Sequence, residues 1–446
     1  MSDASGILGQ AWRAMDGAPG RLARVRGIGL PPLPSVLPAA RLVHDAIAAA
    51  ALAAAELAGD DGTIAIDPAR AATAVTSERW FRERGDAPDV WSPFSGFRRA
   101  ADGWVRTHAN YPHHRERLLR ALDLPTGAAP SQLADRIRSV PAREVEGLAD
   151  RHGALAVAVR RPGEWARSPQ GRASAEGPLL RLERADAPIG WRPAADASRD
   201  TVLAGLRVLD LTRVIAGPVA GRTLALLGAE VLRIDPPAPA EPHWQHLDTG
   251  HGKRSALLDV RSAAGAARFE QLLGEADVLL LGYRPGSFDV AGIAARHPGL
   301  VIAELSAWGW SGPWAGRRGF DSLVQAASGI ALIEGAADAR GKGVGPDEEP
   351  EPGALPAQVL DHSTGYLLAA AVLRALTQGR GARIRASLAR TAAALLDLPR
   401  ESAPEPAAFE PTVTVLGDLT TAAPAFGPGS WPRPPRPWGG DAPAWR

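Results

Sequence analysis

Residues Leu203 to Asp235 read LAGLRVLDLTRVIAGPVAGRTLALLGAEVLRID, and their pattern decides the fold. Leu206 to Leu211 is an apolar run of strand length, a glycine-bearing loop and an alanine- and leucine-rich helical segment follow, and Glu230 to Ile234 is a second strand-length run. Strand, loop, helix, strand at this spacing predicts a parallel sheet wound right-handedly, with its ligand crevice at the carboxyl ends of the strands. Two further strands are predicted at Val278 to Leu281 and Leu300 to Leu305, with helical segments between them. The expected fold class is therefore α/β: an open parallel Rossmann-like sheet domain, joined to a smaller mixed α/β domain. The first loop, RVIAGPVAG, is not G-x-G-x-x-G, which disfavours a nicotinamide dinucleotide, although Gly217 and Gly221 still let a ligand approach the backbone.

Downstream, Leu355 to Leu376 reads LPAQVLDHSTGYLLAAAVLRAL. Asp361, His362, Ser363 and Thr364 precede a long apolar helical pattern that Gly379 and Gly381 close, so Asp361 is expected at or near a helix N-terminus. Unpaired backbone N–H groups and the helix dipole are expected to keep a carboxylate there ionised and to stabilise an oxyanion forming beside it. That suits a carboxylate nucleophile; an ordinary helix cap is the plainer alternative.

Composition sets limits. The chain has 446 residues with 45% hydrophobic and 22% charged, enough for two or three domains with cores. Lys+Arg of 50 against Asp+Glu of 49 leaves a net charge of +1, so no broad basic field exists to hold nucleic acid or an anionic membrane, and anion binding must be local. Cysteine is absent, which excludes thiolate chemistry and fits a reducing cytoplasm. The N-terminal MSDASGILGQAW lacks a signal pattern and the apolar runs are short, so a cytoplasmic protein without a membrane span is expected.

Before the sheet domain lie two further regions. Residues 1–80 are expected to hold an N-terminal arm and a helix-strand scaffold repeat: Val43 to Thr76 has the plan of Asp361 to Leu396, an alanine-rich helix, a glycine turn, a short strand and a second Ala/Arg helix. The gap-free overlay puts Arg41 where Asp361 stands. Residues 81–190 are expected to form the small domain, with a strand in Ala101 to Ala109, helices in His114 to Leu124 and Ser131 to Gly153, and a strand, turn and helix in Ala154 to Ala173; a linker is expected at Ala185 to Asp200. The sheet domain spans 201–398. Residues 399–446 are proline-rich, and Trp431, Trp438 and Trp445 are expected to pack along another domain as an extended clasp.

Five stretches, in order, resemble the family III CoA-transferases (the CaiB/BaiF group): Leu203 to Asp235, GHGKRSALLDV (Gly250 to Val260), ADVLLLGYRPGSFDVAGI (Ala276 to Ile293), Pro298 to Gly329, and the LDHSTG element. The resemblance implies that Asp361 is the nucleophile and that coenzyme A or acyl-CoA is bound as substrate, with no tightly bound cofactor and no metal. It implies CoA contacts at Val214, Gly217, Lys253, Arg254, Arg261, Tyr283, Arg284 and Arg318, and a homodimer. It implies transfer of CoA between an acyl-CoA and a carboxylic acid through an aspartyl anhydride and an aspartyl-CoA thioester. In this sequence the small domain precedes the sheet domain, so the halves resemble a permuted or fused version of the family. The family's mobile lid corresponds to PFSGF, Pro93 to Phe97. Two other readings stay open: a 2-methylacyl-CoA racemase or isomerase, whose motif histidine is replaced here by Phe320, and a non-catalytic CoA-binding scaffold.

Overall fold

The computed structural model describes residues 6–338, 351–400 and 408–446. The first five residues of the expected arm and residues 401–407 of the expected clasp lie outside the described residues. The alanine run of the first region forms helix α1, Ala39–Leu57, which is buried around nearly its whole circumference. Small side chains allow that, because they let neighbouring backbones approach on every side. A glycine turn, a two-residue strand at Ile64–Ala65 and a helix at Pro68–Val75 follow. The overlay of the two repeats places the helix starts Pro68 and Leu388 together, and Arg41 and Asp361 each stand in the first turn of their long helix.

The small domain comes next. Strands β1 (Gly96–Ala100), β2 (Gly103–Thr107) and β3 (Ala156–Ala158) form an antiparallel sheet in that order, covered by α2 (Pro112–Ala121) and helices at Pro130–Arg138 and Ala142–Arg151. Its core is separate from that of the rest of the chain and is built from Val105, Leu118, Leu119, Leu133, Ile137 and Val145.

The large sheet has seven strands: β4 (Arg181–Pro188), β5 (Arg207–Leu211), β6 (Glu230–Asp235), β7 (Arg254–Leu257), β8 (Val278–Leu281), β9 (Val301–Ser306) and β10 (Arg380–Ser387). Their spatial order is β7-β6-β5-β8-β9-β10-β4, parallel except for the antiparallel β10/β4 pair. Helices α3 (Ala216–Leu226), α4 (Asp321–Ser328), α5 (Val359–Gln378) and α6 (Leu388–Asp397) belong to this domain. The order reverses between β5 and β8, which opens a crevice at the carboxyl ends of the strands on either side. One boundary differs from expectation. Residues 185–188, read as the start of a linker, complete β4, which closes the sheet on β10; Pro188 is tolerated there because the strand lies at an edge.

Helix α5 packs between α1 and α3. Arg374 Nη1 and Glu56 Oε2 meet at 2.5 Å across the α5–α1 contact, and Glu334 accepts from Ser35 Oγ at 2.8 Å and from the Leu37 N–H at 3.1 Å just before α1 begins. The C-terminal segment runs along the other edge. A hairpin of β11 (Val413–Leu416) and β12 (Leu419–Ala422) pairs with Arg82–Glu83, after which the chain passes β7, where the Asp441 N–H donates to Ser255 O at 2.7 Å. No helix among the described residues is long and apolar enough to cross a membrane.

Gly365 sets how closely α5 and α3 approach: a Cβ there would lie 2.4 Å from the Ala216 carbonyl oxygen. Gly365→Ala gains about 1 kcal/mol of helix propensity but meets rigid backbone, and overpacking costs about 1–3 kcal/mol. The expected net result is a loss of up to about 2 kcal/mol, read as a lower urea midpoint at unchanged m-value.

Candidate active site

A cleft of about 1210 Å³ lies at the carboxyl ends of the parallel strands, lined by Leu211, Asp235, Leu258, Gly282 and Ser306 from the strand ends and by Tyr111, His113, His114 and Arg117 from the small domain. Of the residues singled out in the sequence, Val214, Arg261, Tyr283, Arg284, Arg318 and Asp361 line it. Three others do not. Lys253 is buried, its Nζ donating to Asp210 Oδ2 at 2.8 Å and to Pro218 O at 2.9 Å, so its charge holds β5 to α3. Arg254 pairs with Glu230 at 3.2 Å and donates to the carbonyl oxygens of Ala442 and Ala444, which fastens the C-terminal segment. Gly217 packs against Thr212, whose Cβ lies 2.3 Å from where a Cβ of its own would stand; its smallness serves helix–strand packing. PFSGF is also absent from the lining, and Asn110 and Thr107 hold it: Ser95 Oγ donates to Asn110 Oδ1 at 2.7 Å and Thr107 Oγ1 to Phe94 O at 2.8 Å.

Asp361 is the third residue of α5, only 6% exposed, and it faces the cleft. The expected carboxylate at a helix start is present, but the helix terminus does not lower its pKa as expected. The first-turn N–H groups are already taken: the Asp361 N–H donates to Asp321 Oδ2 at 2.9 Å, and the Leu360 N–H also turns to that carboxylate. Asp321 opens α4 and is fixed by Gln325, whose Nε2 donates to Asp321 Oδ1 at 2.5 Å and whose Oε1 accepts the Leu355 N–H at 2.9 Å. Asp321 thus occupies the favourable end of the α5 dipole. Burial pushes the Asp361 carboxyl well above the usual carboxylate range, and the neighbouring Asp321 carboxylate adds to the rise. Asp321 itself is pushed up to about 6 by burial.

Aromatic and histidine side chains surround Phe320, the residue before Asp321. His108 stacks on it at 3.8 Å between ring centroids and His114 meets it edge-on at 5.8 Å. Burial holds both imidazoles neutral, His108 at about 3 and His114 at about 2. Among the described residues no group of histidine and carboxylate side chains is arranged to hold a metal ion. His362 is buried, does not line the cleft, and is held down to about 3 by burial.

The loop between β5 and α3 is strained. Val214 has φ +72°, a conformation that costs a β-branched residue of order 1–3 kcal/mol and persists only when its surroundings impose it. Glu241 imposes it. This fully buried carboxylate accepts the Val214 N–H at 2.5 Å and meets Arg233 Nη2 at 2.5 Å, while Arg233 also grips Asp235 at 2.6 and 3.2 Å. Burial opposes ionisation of Glu241, but Arg233 and Arg213 more than offset it and hold its pKa below the usual range. Burial pushes Asp235 up to about 6. None of Asp321, Glu241, Arg233 or Arg213 was singled out as a site residue. Asp321 and Asp361 are far apart in the chain, and Glu241 lies in a proline-rich stretch without periodicity, so only tertiary packing brings these partners together.

Removing Glu241 leaves Arg233 buried beside one carboxylate and frees the Val214 N–H. Breaking a buried pair costs about 3–5 kcal/mol, so Glu241→Ala is expected to lose stability of that order in urea unfolding, whereas Arg261→Ala, whose side chain is 80% exposed, is expected to change it by less than about 0.5 kcal/mol.

Residues 203–405 match the family model described as CoA-transferase family III. An "Acyl-CoA transferase" of Gibberella moniliformis is 30% identical over 328 residues, an alignment that covers 67% of this chain and 55% of that protein. The "Probable fatty acyl-CoA transferase Rv3272" of Mycobacterium tuberculosis is 34% identical over 192 residues, with 39% and 46% covered. A crystal structure of the hypothetical protein Rv3272 superimposes with a TM-score of 0.36 at 31% identity, over 43% of this chain and 55% of that one. The chain spans about half the length of the curated relatives it matches.

Proposed function

Since the chain belongs to CoA-transferase family III through residues 203–405, we propose that it moves CoA between an acyl-CoA thioester and a carboxylic acid, with Asp361 as nucleophile. The observation that carries this reading is the buried Asp361 carboxyl at the start of α5, facing a cleft of about 1210 Å³ whose walls hold Arg213, Arg261, Arg284 and Arg318. Arginines supply local cations for the phosphates of CoA in a chain of net charge +1. The matched relatives carry names of acyl-CoA transferases, which supports the same assignment.

In the proposed cycle a carboxylate oxygen of Asp361 attacks the donor thioester carbonyl, the C–S bond breaks, and an aspartyl acyl anhydride and CoA thiolate result. The thiolate attacks the aspartyl carbonyl, giving an aspartyl-CoA thioester and releasing the donor acid. The acceptor carboxylate then attacks that thioester, thiolate leaves again, and its attack on the acceptor carbonyl forms the new acyl-CoA and returns Asp361 as carboxylate. Low exposure at Asp361 keeps water from the anhydride and the thioester. Isomerisation at the α-carbon is the weaker reading. It needs a second base, and His114, the imidazole on the cleft wall beside Phe320, has an acidity of about 2 that makes it a poor proton acceptor. The assembly proposed is a homodimer, to be read by sedimentation, and the acyl and acceptor groups are left to a substrate panel.

Incubation with acyl-CoA thioesters and hydroxylamine, followed by intact-protein mass measurement, is expected to give an aspartyl hydroxamate or CoA-sized adduct on the wild type and none on Asp361→Ala. Absence of any adduct on a folded, CoA-binding wild type would overturn the covalent reading, and α-hydrogen exchange without an adduct would favour isomerisation.

The acid limb of adduct formation is a second test. Only ionised Asp361 attacks, so the rate is expected to fall as pH drops through its raised pKa, well above the ordinary value of about 4. Asp321→Asn removes the neighbouring negative charge but keeps an acceptor for the Asp361 N–H, so the limb is expected to move to lower pH; an unmoved limb would exclude this coupling.

A further inference from the structure

At the β6 end of the cleft three of the four residues that follow Asp235, namely Pro236, Pro237 and Pro239, have no backbone N–H to offer a ligand. The Asp235 carboxylate that ends the strand is held by two hydrogen bonds from Arg233. Arg213 lines the cleft, and among the described residues its Nε and Nη2 are buried without a hydrogen-bond partner; its nearest charge contact is Asp235 Oδ1 at 3.7 Å. Buried guanidinium donors left unused are costly, so a position that retains them points to a group that arrives with acceptors.

The guanidinium is also held in place. Its Cζ lies 5.6 Å from the ring centre of Tyr111, from the small domain, and 5.5 Å from that of Trp438, from the C-terminal segment. Trp438 is likewise 5.4 Å from Arg233. Aromatic faces stabilise a guanidinium without consuming its N–H groups, so the two rings fix Arg213 while leaving its donors available. The strained φ of Val214, imposed by Glu241, sets the direction from which the preceding residue enters the cleft.

We infer that Arg213 is the anion-receiving residue of the β6 arm of the cleft, that it takes a phosphate group of the CoA-type ligand, and that Trp438 is its positioning residue. The inference rests on the CoA reading given above. A phosphate is favoured over the acceptor carboxylate by place: Arg213 leans towards Asp235 and Trp438 at the β6 end, whereas the carboxylate must react beside Asp361, which is tied to Asp321 at the start of α4.

The test is calorimetric titration of the full chain and its Arg213→Gln, Arg213→Lys, Trp438→Leu and Trp438→Phe variants with CoA, with inorganic pyrophosphate and with a pantetheine thioester that has no phosphate. Arg213→Gln is expected to bind CoA and pyrophosphate about tenfold or more weakly and pantetheine thioester as the wild type does. Arg213→Lys should recover part of the loss, and Trp438→Leu should lose affinity in the same phosphate-dependent way while Trp438→Phe, which keeps a ring, loses less. Unchanged CoA affinity in Arg213→Gln, or an equal loss for the pantetheine thioester, would overturn the assignment. So would a raised acceptor KM with CoA binding intact, which would assign the residue to the carboxylate. A wild type that binds pyrophosphate through Arg213 but not CoA would retain the anion site and remove the CoA reading, so the two failures are distinguishable.

Discussion

The hydrogen bond from the Asp361 N–H to the Asp321 carboxylate is the contact on which the site depends. It joins the start of α5 to the start of α4, so two helices from different parts of the chain begin at one buried point. It also settles the electrostatics. A helix N-terminus has few free N–H groups, and once Asp321 accepts those of Leu360 and Asp361, the Asp361 side chain is left in a dry environment beside a like charge. A carboxylate in that position is a better nucleophile when ionised than a well-solvated one, because less stabilisation is lost as it attacks.

A second buried arrangement serves the opposite wall. Glu241, Arg233 and Asp235 form a cluster in which one guanidinium bridges two carboxylates, and its purpose in the fold is visible in what it holds: the strained Val214 and the end of β6. Ion pairs of this kind are expensive to desolvate and contribute little net stability, so their value lies in specifying one geometry for the loop above the cleft. The two arms of the cleft are therefore built differently, one from a carboxylate pair that raises the pKa of Asp361 and one from a salt-bridge cluster that orients cations.

The long helices explain why these arrangements are rigid. Helix α5 is enclosed by α1 and α3, and Gly365 and the alanines of α1 let the backbones come close. Helix α1 of the first region covers the helix that carries Asp361, while Arg41, in the first turn of α1, does not line the cleft. The tryptophans of the C-terminal segment fasten the far edge of the sheet, Trp431 against Arg222 and His251 and Trp445 through a hydrogen bond to Leu272 O at 3.2 Å.

Local pattern alone determined four of the six parallel strands, because apolar runs bounded by glycine turns need no knowledge of distant residues: Val278–Leu281 matches its expected bounds, and β5, β6 and β9 differ by a residue at their ends. The helix start at Asp361 and the glycine stop at Gly379, φ +69°, were legible for the same reason. Charge roles were not. Lys253 and Arg254 are adjacent cations expected to meet a ligand, yet one is spent on Asp210 and the other on Glu230 and the returning C-terminal segment, while Arg213, for which no ligand contact is expected from the sequence, lines the cleft. The sequence specifies that a cation or carboxylate exists and on which element; whether it is neutralised, buried or left to a ligand depends on partners that only packing supplies, since Coulomb energy and desolvation are set by distance in space and not along the chain.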